Sequence, residues 1–151
     1  MTVRLSTGLR NNLVGATGFA STFANGVIDV YSGAQPVTAD AAATGTLLGT
    51  VTLNSGAFTP GTATNGLTFA AAAAGAVAKS GTWSFNGVAA GTAGWFRFRA
   101  NAVDAGAVSA VLPRLDGSIA VSGADMNLSN ITIAVGAPNT VDTFTWTQPA
   151  L

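Results

Sequence analysis

The chain of 151 residues has no histidine, no cysteine and no glutamate, and its ionic side chains are limited to six Asp, five Arg and the single Lys79. Each absence excludes something. Without His, the usual proton shuttle near neutral pH is missing, and a nucleophile would have no imidazole to activate it. Zinc loses its commonest ligands, and without thiols neither a disulfide framework nor a thiolate metal site can form. The expectation is a protein that is not an enzyme and carries no cofactor or metal. Charged residues make up 8% of the chain and the formal net charge is zero, so counterion release offers little grip on nucleic acid. The longest apolar run, Phe69 to Ala78, is mostly alanine and is broken by Gly75. It reaches about half of the roughly 20 residues a membrane helix requires, so no membrane partner is expected. The residues after Met1-Thr2-Val3-Arg4 are mixed and polar, without the apolar core of a secretory signal.

What the chain does contain is Ala, Gly, Thr, Val and aromatics, the materials of a packed scaffold. Its length suits one compact unit that buries roughly two-thirds of its unfolded surface. Residues 5–23 carry the helical pattern. Leu5, Leu9, Leu13, Ala16, Ala20 and Phe23 recur at steps of three and four, and Ser6 or Thr7 is placed to cap the start. Gly8, Gly15 and Gly18 each cost about 1 kcal/mol in a helix interior, so this helix needs a partner surface. Residues 1–25 are therefore read as an N-terminal helical segment that docks through Leu5, Leu9 and Leu13, closed by Asn25-Gly26. Residues 26–151 form the main domain.

From Gly26 the apolar period becomes two. Strands are expected over Val27–Tyr31, Leu47–Leu53, Leu67–Phe69 running on through Ala71–Ala74, Thr82–Phe85, Trp95–Ala100, Ala107–Leu112, Ser118–Val121, Ile131–Val135 and Thr140–Thr147. Asn86-Gly87 reads as a hairpin signal, and Asp116-Gly117 as a turn. Many short strands after one N-terminal helix predict a mainly β protein, a β-sandwich or jelly-roll-like fold.

The chemical motifs are sparse. Gly15-Ala16-Thr17-Gly18 and the stretch from Gly87 to Gly94 lack the Gly-Lys-Ser/Thr ending of a phosphate loop. Lys79 and Ser80, adjacent on an extended chain, point apart. The carboxylates Asp29, Asp40, Asp104, Asp116, Asp125 and Asp142 are scattered singly, which favours surface or turn roles over a glycosidase pair or a calcium site. Asn127-Leu-Ser and Asn130-Ile-Thr match the glycosylation pattern by composition alone. Trp95, Arg97 and Arg99 stand out because alternation puts an indole and two guanidinium groups on one strand face. Either nearby aspartates neutralise them on a solvated face, or they anchor a contact with another subunit.

Several stretches carry a resemblance. They are Val27-Ile28-Asp29-Val30-Tyr31-Ser32-Gly33-Ala34-Gln35-Pro36 with Ala39-Asp40-Ala41-Ala42, then Gly45-Thr46-Leu47-Leu48, Gly94-Trp95-Phe96-Arg97-Phe98, and Asp116-Gly117-Ser118 through Ser122-Gly123-Ala124-Asp125-Met126-Asn127-Leu128. In this order, from residue 27 to the end, they resemble a family of small proteins encoded in the structural-gene region of tailed bacteriophages and prophages. The resemblance implies a virion component made in the host cytoplasm. Among such parts it suits a capsid decoration or cement protein that binds the major capsid protein shell. A neck, tail or fibre-associated protein is the alternative, and a dimer or trimer is expected. A reading of a different class is a carbohydrate-binding module with Trp95 as its platform.

Overall fold

The computed structural model describes residues 3–148. Ahead of Gly26 lie a short strand β1 (Arg4–Leu5) and two helices, α1 (Thr7–Val14) and α2 (Phe19–Phe23). The single helix expected over residues 5–23 is thus divided. Leu5 is taken into strand pairing opposite Leu115. Ser6 caps α1 by accepting from the Leu9 N–H, while Gly15 ends it and Gly18, in extended conformation, starts α2. Glycine at those two positions interrupts the ladder that the apolar stripe would otherwise continue.

The remaining strands are β2 (Val27–Ser32), β3 (Leu47–Leu53), β4 (Thr68–Phe69), β5 (Ala76–Ser80), β6 (Trp83–Asn86), β7 (Gly91–Arg99), β8 (Arg114–Ala120), β9 (Met126–Leu128), β10 (Thr132–Ile133) and β11 (Pro138–Thr147). The mainly β class holds, and the arrangement is a closed barrel of seven strands with extra strands attached, not the sandwich or jelly roll expected. Its path runs β8, β7, β2, β3, β6, β11, β9 and back to β8. Neighbours are antiparallel except at the closure, where Ile119 and Ala120 of β8 lie parallel to Met126 and Asn127 of β9. Register shifts at Leu48 of β3, opposite Val30/Tyr31 of β2, and in β11 at Val141/Thr143 help bend one sheet into a ring.

Two glycines on the inner wall show why closure is sterically possible. A Cβ on Gly49 would sit 2.2 Å from the Phe85 ring, and one on Gly117 would sit 2.7 Å from the Phe96 ring. Gly117 is therefore a strand residue that admits a ring, and Asp116-Gly117 lies within β8 instead of forming a turn. Gly87 is similar. A Cβ on it would fall 2.2 Å from the Ala134 carbonyl oxygen, and β6 pairs with β3 and β11, so Asn86-Gly87 is not the hairpin turn expected.

The strand expected through Ala71–Ala74 stops at Phe69. The chain reverses at Ala74 and Gly75, both at positive φ, and returns as β5. Residues 107–112 form a loop where a strand was expected, and the strand expected over Ile131–Val135 shortens to Thr132–Ile133. By contrast, Asn25, at φ 58, makes the helix exit that Asn25-Gly26 suggested.

Alternation sends Trp83, Phe85, Phe96, Phe98 and Phe144 into one apolar core. The helices belong to this core. Leu9 and Phe23 are fully buried, Phe19 stacks on Trp146 at 4.6 Å, and Phe23 stacks on Phe98 at 4.5 Å. Leu5 and Leu13 lie half-buried against the same cluster. The stripe read as a docking face for residues 1–25 is thus turned toward this chain's own barrel.

Candidate functional site

Strand β7 sends Phe96 and Phe98 inward, so its period of two sends Trp95, Arg97 and Arg99 to the outer face. That face is not open to solvent, since Trp95 and Arg97 are each only 1% exposed. Register explains the chemistry. Arg97 stands between Asp29 on β2 and Asp116 on β8, and Arg99 lies beside Arg114. Arg97 donates from Nε and Nη2 to the two Asp116 carboxylate oxygens at 2.8 and 2.7 Å. Arg99 Nε donates to Asp29 at 2.7 Å, and the Thr50 hydroxyl donates to the same carboxylate at 2.8 Å. Arg114 forms a similar fork on Asp104, at 2.7 and 2.6 Å. Of the two readings of Trp95, Arg97 and Arg99, neutralisation by aspartates is the one found, on a buried face instead of a solvated one.

Two loops, residues 33–46 and 100–113, form the cover. Arg4 donates to the carbonyls of Gln35 and Pro36, fixing the first loop to β1. Asp40 accepts from the Thr7 N–H at 2.8 Å and from its hydroxyl at 2.7 Å, tying that loop to the start of α1. The loops also bind each other. Ala43 N–H donates to Gly106 C=O, and Ser109 N–H donates to Asp40 C=O, both at 2.9 Å. Beneath them Tyr31 stacks on Trp95 at 4.6 Å, and the Arg97 guanidinium lies 5.5 Å from the Trp95 ring centre.

Burial sets the ionisation. It pushes the Tyr31 phenol up to about 12, helped by the nearby Asp29 charge. Burial also pushes Asp116 up, more than its bonds to Arg97 pull it down. At Arg97 the same burial is outweighed by those bonds, so the guanidinium is held more firmly charged than usual. Burial of Asp104 is likewise outweighed, by the hydrogen bonds from Arg114 and from the Gly106 N–H, and its carboxyl lies below the ordinary range. Asp40 is lowered too, its Thr7 hydrogen bonds prevailing over desolvation.

The arrangement fixes charge in place and does not present it. Asp125 is also engaged, accepting from the N–H and hydroxyl of Ser118. Two buried donors, Trp95 Nε1 and Arg97 Nη1, have no hydrogen-bond partner among the described residues. Outward the cover presents four prominent valines among small uncharged residues: Val37, Val103, Val108 and Val111 are 86%, 74%, 76% and 81% exposed. Arg10 of α1 stands in solvent and donates to the Thr7 hydroxyl, which itself donates to Asp40. Sequence reasoning found Arg97 and Arg99 but not Arg114, and it named none of the aspartate partners, because Asp29, Asp104 and Asp116 meet the arginines only through strand register and loop closure.

Comparison with protein-family models, with curated proteins and with solved structures finds no match.

Proposed function

We propose that this chain is a structural protein of a tailed-bacteriophage virion, a decoration or cement protein that seats on the major capsid protein shell and stabilises it. One observation carries the reading beyond the sequence resemblance. Arg97, Arg99 and Arg114 are tied to aspartates of the same chain, and the loops above them show solvent a valine-bearing, uncharged skin. Such a surface recognises by shape and apolar burial, the mode of a subunit held permanently against protein neighbours. A barrel without free sheet edges along its closed path is also suited to crowding at high local concentration. Dimers or trimers of the chain fit the symmetric joints of a shell.

The carbohydrate-binding alternative relied on Trp95 as a platform, and that ring is covered by Tyr31 and the loops. The neck, tail or fibre alternative differs in copy number. Stoichiometry from a stained gel of purified virions separates it from the decoration reading. A decoration protein is expected at roughly hundreds of copies per particle, following shell symmetry. A few copies would move the chain to the neck or tail, and its absence from particles would remove the virion reading.

A further inference from the structure

The closed path of the barrel protects its edges, but the β4–β5 hairpin stands outside that path, and β4 has a strand on one side only. On the β5 side, Ala70 N–H donates to Ala78 C=O. In an antiparallel ladder the backbone groups one residue away turn in the opposite direction. Those of Leu67 and Phe69 therefore face away from β5. Leu67 uses its pair on the chain entering β2, donating to Gly26 C=O and accepting from Asn25 N–H, both at 2.9 Å. The N–H and C=O of Phe69 open instead onto a cleft of about 320 Å³, walled by Ala20 and Ser21 of α2, by Ala24 just past its end, and by residues 67–70.

Past Ala20 and Ser21, which line both spaces, the cleft meets a hollow of about 450 Å³ lined by Leu13, Phe19, Val77 and Trp146. Among the described residues, no charged side chain lines either space. The flanking run Ala70–Gly75 is exposed and carries nothing larger than a methyl group to obstruct an approaching backbone.

We propose that the α2/β4 cleft is a peptide-binding site that takes an extended, uncharged segment of a partner protein as an added strand on β4. Main-chain hydrogen bonds to Phe69 supply the pairing, and the two-residue period carries every second apolar side chain toward the Phe19–Trp146 hollow. A charged segment is disfavoured, because its ionic groups lose water in the cleft and meet no counter-charge. A second copy pairing through its own β4 would bring its own α2 wall against this one, whereas a single extended segment brings no such wall. The inference holds whether or not the virion reading does.

Selection of random displayed peptides on the full chain tests it, with Ala24→Trp as the blocking variant. Ala24 is exposed, so the indole fills the cleft without entering the core, and Ser21→Trp serves the same purpose if the first variant unfolds. The expected result is enrichment of uncharged peptides with alternating apolar residues, bound about tenfold or more weakly by the blocked variant. The bound peptide should also slow hydrogen exchange at the Phe69 amide. No enriched peptide, a charged consensus, or affinity unmoved by both tryptophans overturns the proposal. So does self-association that Ala24→Trp abolishes, which would make the occupant a second copy.

Discussion

Arg97 and Asp116 meet through two parallel hydrogen bonds of 2.8 and 2.7 Å, with side chains only 1% and 0% exposed. A fork of this kind fixes orientation as well as charge, and it staples β7 to β8 on the outer wall of the barrel. Its cost is equally specific, because either group alone would be an uncompensated ion out of water. Replacing Asp116 with Ala should lower stability by about 3–5 kcal/mol, whereas the double change Arg97→Met, Asp116→Leu should recover most of that loss. Urea unfolding of the two variants checks this. A double variant no more stable than the single one would mean that the fork, and not the avoidance of a lone charge, holds the strands.

Acid should act on this network in two steps. Burial raises Asp116, so the folded chain takes up its proton more readily than the unfolded chain, and lowering pH into that window adds a small increment of stability. Asp104 and Asp40 are depressed on folding, so their contribution is complete above the unfolded carboxylate range and is lost as pH falls through their lower folded values. Unfolding midpoints are therefore expected to pass through a shallow maximum in mild acid and to fall below about pH 4. Asp104→Asn should be less stable at neutral pH, since Arg114 loses its partner, yet show a flatter acid limb. An acid limb as steep as wild type would remove Asp104 from this account.

Much of the barrel was legible in the residues, and what escaped has identifiable physical causes. The apolar runs of Val27–Ser32, Leu47–Leu53 and Trp95–Arg99, rich in β-branched and aromatic residues, are why these elements read correctly, although β2 and the Trp95–Arg99 half of β7 are buried on both faces. Whether such strands close into a ring or stack as two sheets depends on pairing partners, which periodicity does not encode. Glycine misled in both directions. At Gly15 and Gly18 it broke a helix that the apolar spacing supported, and at Gly87 and Gly117 it suggested turns where it makes room for a carbonyl and a phenyl ring. Of the candidate site, Trp95, Arg97 and Arg99 were visible as a shared face. Their burial was not, because the cover is built from two loops of Ala, Val and Gly with no pattern of their own.

The loop cover depends on one close approach. A Cβ on Gly8 would fall 2.3 Å from the carbonyl oxygen of Val111, a backbone atom that cannot swing aside. Gly8→Ala should therefore push residues 111–112 away from α1 and disturb the Ser6 bonds to Leu112 and Arg114. The expected loss is about 1–3 kcal/mol, the usual cost of overpacking, despite the better helix propensity of alanine. Thermal unfolding measures it. A more stable variant would show that α1 does not rest on the loop.

The exposed valines separate what the fold needs from what a partner needs. Val103 and Val108 are 74% and 76% exposed on a loop whose inner contacts run through Asp104, Gly106 and Ser109. Changing both valines to Asp should leave unfolding midpoints within about 0.5 kcal/mol of wild type, since surface positions away from caps, strain and buried polar groups respond weakly. On a shell the same change places two unpaired carboxylates against an apolar neighbour, and desolvating them opposes seating. Occupancy on reconstituted particles is expected to collapse while the free protein stays folded. Full occupancy by the double Asp variant would move the contact to another face, and a large loss of stability would show that the valines serve this chain's own packing.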